Sequence, residues 1–403
     1  MPLIWLVVAA LLGTFLRYYQ LYPVGGVDFQ HVMHGHSHAA MLGWGYSALF
    51  VLIISFIFPN YGRSSFLNRC FWLVQFSVLG MVIAFPLQGY GLWSIIFSTI
   101  HLVLFIIIAG WLLKKEGWWY KDATGKTIRK KPGVALFAGF LMMIIASLGP
   151  FSLGYLSAAD MQNSPLYELS VQFYLHFLIE GWFVLAVLAL IFGFCANNHT
   201  SLQCNGYHLW GFIGAITLLF GLNIFNYYDL GVWKLAGFAG GVLQMIVVVH
   251  FLLVNKVKIG QLLSILPGIM KIALAALLLK FAIQGIVAIP WVDPSIIQLQ
   301  PIRIGYLHLV LLVFFTLALL SFYIKRAWID TQTSKMSSWL LKVFVISMIV
   351  NVGALFMQGI LIHFAGHQLA YSLYILLISS AGMVVGITGI LMKNLSEPTT
   401  ESI

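Results

Sequence analysis

The sequence predicts an all-α fold, a polytopic bundle of about twelve membrane-spanning helices, and three observations carry that reading. Hydrophobic residues make up 61% of the 403 and charged residues only 8%, with a mean hydropathy of +0.97. A soluble domain of this size has nowhere to bury so much apolar surface. Apolar windows of about 20 residues, the length that crosses ~30 Å of hydrocarbon, recur along the whole chain. The longest polar stretch runs only from about Lys114 to Lys131, which leaves no room for a separate soluble domain.

Taken in order, the spans fall near residues 3–22, 34–58, 70–88, 91–113, 133–156, 168–194, 207–226, 232–254, 265–289, 302–324, 339–362 and 369–392. The first starts at Met1-Pro2-Leu3 without a basic n-region or a small-residue cleavage site, and reads as a retained helix. A single bundle is expected over residues 1–394. A short tail at 395–403 follows, whose polar composition predicts disorder.

The charges then orient the spans. Lys114, Lys115, Lys121, Lys126, Arg129, Lys130 and Lys131 crowd one loop, and Arg63, Arg69, Lys256, Lys258, Lys325, Arg326 and Lys335 fall in others on the same side. The opposite side has Arg17, Lys234 and Arg303 beside Asp28, Asp160, Glu168, Asp229 and Asp293. The positive-inside rule places both termini in the cytoplasm and the protein in the cell's inner membrane. The net charge of +10 reflects this asymmetry and anionic lipid, so membrane lipids are expected as partners and nucleic acid is not. Cys70, Cys195 and Cys204 form no metal-binding doublet and are read as reduced thiols.

Against this apolar background one motif stands out. Glu180 lies deep in span six, and His176 stands four residues before it in Phe173-Tyr174-Leu175-His176-Phe177-Leu178-Ile179-Glu180-Gly181-Trp182. A carboxylate in hydrocarbon costs roughly 2.5–3.5 kcal/mol on insertion scales. An i, i+4 pair projects from one helix face, so both side chains can enter one pocket. Other histidines share the outer half of the bilayer: His36 and His38 on span two, His101 on span four, His308 on span ten and His367 at the start of span twelve, with His363 just before it. In His31-Val32-Met33-His34-Gly35-His36-Ser37-His38, His36 points about 200° from His38, so the two can serve different centres. Neutral imidazole suits iron, copper and zinc. Gly43 and Gly45 in the same span predict close approach of a neighbouring helix or a flat ligand. His199, His208 and His250 lie toward the other face and read as structural.

Two of these motifs resemble known ones. His176-Phe-Leu-Ile-Glu180-Gly181 resembles the His-x-x-x-Glu-Gly motif on the sixth helix of nitric oxide reductase catalytic subunits, where it belongs to the non-haem iron site. His36-Ser-His38-Ala-Ala-Met-Leu-Gly43 is similar to the His-x-His helix of haem-copper oxidases and nitric oxide reductases. The twelve-helix count and a His-x-His entering span two also resemble the NnrS family of haem- and copper-containing membrane proteins. The architecture matches over the whole chain, the motifs over about twenty residues. The oxidases and reductases carry an adjacent His-His pair one helix after the sixth and their His-x-His on the tenth. Here span seven has Asn223, Asn226, Tyr227 and Tyr228, and span ten only His308. The NnrS pattern, with histidines spread over many helices, fits better.

The resemblance implies a haem- or copper-binding redox protein, with non-haem iron as a further cofactor, linked to nitric oxide or oxygen metabolism. It implies a small gaseous substrate and a quinol or cytochrome electron donor. His36, His38, His101, His176, His308 and His367 form the expected ligand pool. Glu180 is the expected base or oxygen ligand, and Arg17 and Arg303 pair with haem propionates. Two other readings stand beside this one. A proton-coupled secondary transporter would use the His-Glu pair as a relay, with Lys280 in mid-span nine and Gly231, Gly237, Gly240, Gly241 and Gln244 marking a broken helix eight. A haem-binding sensor or assembly factor would bind without turnover.

Overall fold

In the computed structural model, the described residues are 2–115, 119–121, 127–129, 131–198, 202–228, 230–292, 295–331, 333–367 and 371–396. Among them, twelve helices are long and apolar enough to cross a membrane. They are span one (Pro2–Leu21), two (Phe29–Phe56), three (Ser65–Gln88), four (Leu92–Lys115), five (Gly133–Ala158), six (Pro165–Ala196), seven (Gly206–Phe225), eight (Gly231–Ile265), nine (Gly268–Val287), ten (Gln300–Lys325), eleven (Lys335–Ala365) and twelve (Ser372–Ser396). In hydrocarbon the backbone must bond to itself, which a helix does within its own length. A short antiparallel hairpin, Trp119–Lys121 with Thr127–Arg129, sits in the loop after span four. Most of the tail expected to be disordered lies outside the described residues.

Local chemistry sets the ends. Asp28 accepts the backbone N–H groups of Gln30 and His31 at the start of span two, as an N-cap does. Ser64 and Ser334 cap spans three and eleven the same way. Span three stops at Gly89, whose φ of +59° is a conformation L side chains rarely adopt. Span eight is one continuous helix of 35 residues. Of the glycines expected to mark a break, Gly237, Gly240 and Gly241 serve close packing instead, and Gly231 begins the helix. A Cβ on Gly240 would meet the Leu219 nitrogen at 2.6 Å, and one on Gly237 would meet the Leu222 side chain at 2.4 Å. Small residues let membrane helices approach this closely.

The chain forms two compact units. The first comprises Met1–Ile108, Pro267–Ala276 and Ser295–Ile403, the second Ala109–Leu266 and Leu277–Pro294. In the first, polar ties cross an otherwise apolar core. The Trp5 indole donates to Gln75 at 2.7 Å, and the Gln75 amide donates to the Ser47 hydroxyl at 2.9 Å. Trp44 on span two donates to Thr316 on span ten at 3.0 Å. The Arg326 guanidinium donates to the Ser55 carbonyl and lies 4.2 Å over the Phe56 ring. Arg326 lies just past span ten, and burial holds its guanidinium below the usual arginine range. In the second unit, Asn255 exchanges hydrogen bonds with the Gln203 backbone, accepting at 2.6 Å and donating at 3.0 Å.

A pattern invisible in the residue types recurs every fourth span. In spans two, six and ten an α-helical segment ends on a histidine, and the next residue begins a π-helical stretch. The stretches are Ala39–Tyr46 after His38, Phe177–Phe183 after His176, and Leu309–Thr316 after His308. These three spans are also the most enclosed, with 61, 94 and 72% of their apolar windows buried against 56% or less elsewhere. π-Helical turns are rare and concentrate at functional sites. The three stretches mark where to look.

Candidate functional site

The first unit holds His36, His38, His101 and His308. The α-helical segments that end on His38 and His308 are 10 and 9 residues long. At 1.5 Å per residue both histidines sit about 14 Å along their helices, roughly half of a hydrocarbon core.

Each ring is pinned through Nδ1. His36 Nδ1 donates to the Ala9 carbonyl at 2.9 Å, His38 Nδ1 to the His34 carbonyl at 2.8 Å, and His308 Nδ1 to the Ile304 carbonyl at 2.7 Å. A carbonyl only accepts, so in each case the proton is on Nδ1 and the Nε2 lone pair is left outward. His101 reaches the same state by another route. The Ser77 hydroxyl gives its hydrogen to the Val74 carbonyl at 2.7 Å, so its oxygen accepts from His101 Nδ1 at 3.2 Å. His101 Nε2 is then buried without a hydrogen-bond partner. An imidazole fixed at Nδ1 with Nε2 free is the form in which histidine ligates a metal.

The neighbours divide these rings into two sets. His36 packs against span one, where a Cβ on Gly13 would come within 2.9 Å of its Cε1. It is within electrostatic reach of Arg17 and of His308, and Arg17 reaches His308 as well. His38 turns toward span three, stacked on Phe85 at 4.0 Å between ring centroids, and is within electrostatic reach of His101. The Tyr46 ring stands edge-on to His101 at 5.0 Å. Gly35, between the two sets, makes this close approach to span three possible. A side chain there would meet the Pro86 ring at 2.9 Å. The sequence placed His36 and His38 on different faces, and their neighbours differ accordingly. His36, His38, His308 and Arg17 each keep some accessible surface.

The second unit treats its histidine and glutamate differently. His176 Nε2 donates to the Ile216 carbonyl of span seven at 2.9 Å, so the nitrogen left free in the first unit is engaged here. Glu180 is buried and paired with the Lys280 ammonium of span nine, whose side chain is fully enclosed. Among the described residues no three histidine, cysteine or carboxylate side chains converge as a ready-made metal cage. The donors that the nitric oxide reductase motif implies for non-haem iron do not fit that role as they stand.

The remaining expected residues lie apart. Arg303 is exposed, five residues before His308 on the same helix. His367 is exposed in the loop after span eleven, its Nδ1 on the Ala365 carbonyl at 2.9 Å. His363 packs edge-on to Phe364. His208 and His250 bond to each other at 2.9 Å, and the Asn205 N–H donates to His208 Nδ1. His199 lies outside the described residues. Among the described residues no disulfide joins Cys70, Cys195 and Cys204.

Sequence reasoning did not pick out Ser77, which fixes the His101 tautomer, or Ala9, which fixes His36. No residue-type signal marks a tether supplied by a carbonyl from another helix. Lys280 was conspicuous, but its partner was not. The sequence matches no protein-family model and none of the curated proteins, so the reading of this multi-pass membrane protein rests on its own geometry.

Proposed function

We propose that this integral membrane protein binds haem, copper or both through the histidines of its first unit and works as a redox protein linked to nitric oxide or oxygen metabolism. One observation carries the reading: four imidazoles on spans two, four and ten hold Nδ1 on protein acceptors, and among the described residues nothing hydrogen-bonds their Nε2. A structural histidine in a membrane bundle is there to make a hydrogen bond to a neighbouring helix. His38 and His308 instead bond to a carbonyl of their own helix, four residues back, which links no two helices.

The residues fit in kind: neutral imidazoles held at Nδ1 would offer Nε2 to a haem or copper centre. His36 with His308, and His38 with His101, are the pairs that interact electrostatically. Bound haem or copper would supply one-electron and diatomic-gas chemistry that no side chain in this chain supplies. The chain's part is to fix each tautomer, to exclude bulk water with the buried rings of Tyr46 and Phe85, and to place the Arg17 guanidinium near His36 and His308. There it can hold an acidic substituent of the cofactor by charge-assisted hydrogen bonds. Arg17 Nη1 already donates to Gln20 at 3.2 Å. The electron donor expected is a quinol or a cytochrome, the substrate a small gas, and the location the cytoplasmic membrane.

The test is an optical spectrum and metal analysis of protein purified in mild detergent, oxidised and dithionite-reduced. A Soret band with stoichiometric iron, or stoichiometric copper, is the expected result, and His38→Ala abolishes or shifts the signal. A folded, colourless, metal-free protein made with haem supply intact would sink the proposal. The buried Glu180–Lys280 pair supports a second reading, a proton-coupled secondary transporter. That reading predicts substrate-dependent proton uptake by metal-free protein in liposomes.

A further inference from the structure

The second unit raises its own question: what compensates Glu180? In a metal site the answer is the cation. Here Glu180 is paired with Lys280, and the lysine side chain has no accessible surface at all. His176, one turn before Glu180, is within electrostatic reach of both, but its Nε2 is spent on Ile216.

The neighbouring helices offer no other charge. Span five has no charged side chain between Gly133 and Ala158, its one titratable group being Tyr155, thirteen residues past Met142, and it meets Gly181 with Met142, which a Cβ there would touch at 2.7 Å. Span seven presents the Ile216 carbonyl, and span eight brings Gln244, wholly buried, into the same unit. The titratable groups of those two spans are Tyr207, His208, Lys234, His250, Lys256 and Lys258, each six or more residues along the helix from Ile216 or Gln244. Lys280 is therefore the cation of this region, tethered to the chain.

We propose that the Lys280 ammonium takes the place a metal ion holds beside a His-x-x-x-Glu pair, so that Glu180 and His176 belong to a site filled from within by a side chain. The chemical logic is charge. A buried carboxylate needs one cation in contact, and a metal and an ammonium compete for the same oxygens. With lysine present the site has no use for a divalent ion. With lysine removed, Glu180 and His176, on one face of span six, become an unfilled two-donor site. This inference is independent of cofactor binding in the first unit.

Five variants of the full-length protein test it, read by total metal analysis and by the thermal unfolding midpoint in detergent. Glu180→Gln is expected to leave the metal content of the purified protein unchanged. Lys280→Met and Glu180→Gln each lower the midpoint, and the double variant recovers at least half of that loss, because one uncompensated buried charge is a worse defect than none. Zinc ion alone raises the midpoint of Lys280→Ala by several degrees, leaves the wild type unmoved, and loses its effect in Lys280→Ala/His176→Ala. A wild-type metal lost on Glu180→Gln overturns the inference. So does a double variant no more stable than the worse single one, or zinc that fails to stabilise Lys280→Ala. If Lys280→Ala does not fold, the metal analysis of Glu180→Gln and the Lys280→Met pairing still decide the matter.

Discussion

Spans two and ten of the first unit and span six of the second begin alike and end differently. In all three an α-helical segment closes on a histidine and a π-helical stretch follows. In the first unit Nδ1 is tied back to a carbonyl of the same helix (His38, His308), and the outer nitrogen is left free. In the second, Nε2 of His176 crosses to span seven, and the carboxylate one turn later has its own cation. One backbone device thus frames two kinds of polar interior. One ties His38 and His308 at Nδ1 within their own helices, and the other ties its histidine across to span seven and pairs its carboxylate with a lysine.

That contrast is sharpest in a pair of single substitutions. His308→Ala removes a free Nε2 from the first unit and is expected to abolish a haem or copper signal outright. His176→Ala removes a bonded histidine from the second and is expected to leave the signal in place. The absorption spectrum decides it. Loss of the signal in His176→Ala with retention in His308→Ala would reverse the roles of the two units.

A second substitution separates scaffold from ligand within the first unit. Gln75 accepts from Trp5 and donates to Ser47, tying span three to spans one and two. Gln75→Leu keeps the volume and orphans both partners, at about 1–3 kcal/mol for each buried group left unsatisfied. The expected outcome is a lower unfolding midpoint in detergent with an unshifted spectrum. A spectral shift equal to that of a histidine variant would mean that the network holds the ligands themselves.

These contrasts also show what was legible in the sequence. Twelve spans were, because hydrocarbon demands about 20 apolar residues each and tolerates few exceptions. Span eight was read short, at 232–254, because its helix continues through Asn255, Lys256 and Lys258 to Ile265, past the end of its apolar run. His36 and His38 were placed on different faces by helix geometry alone. The tautomers were not legible: they depend on Ser77 and on backbone carbonyls, which every residue carries. The π-helical stretches were hidden too, since one extra residue per turn leaves an all-apolar stretch all-apolar. The Glu180–Lys280 contact joins residues a hundred positions apart, and only folding brings them together.

The smallest expected effect concerns how the histidine helix of the first unit begins. Asp28 lies outside span two, and the backbone N–H groups of His31 and Gln30 hold its carboxyl below the usual carboxylate range. A carboxylate with a lowered folded-state pKa stabilises the fold fully above the unfolded value of about 3.9, and that stabilisation is lost as pH falls through the lower folded value. Asp28→Ala should therefore lower the unfolding midpoint slightly at neutral pH. The gap to the wild type should close in the acid range, as the protonated wild-type side chain stops accepting as an anion. The second unit sets a control, because the first helical turn of span seven is held by Asn205 and His208, without a carboxylate. Asn205→Ala should show no such closing below pH 4. A gap at Asp28 that stays constant to pH 2 would mean that its side chain serves the turn by shape and not by charge.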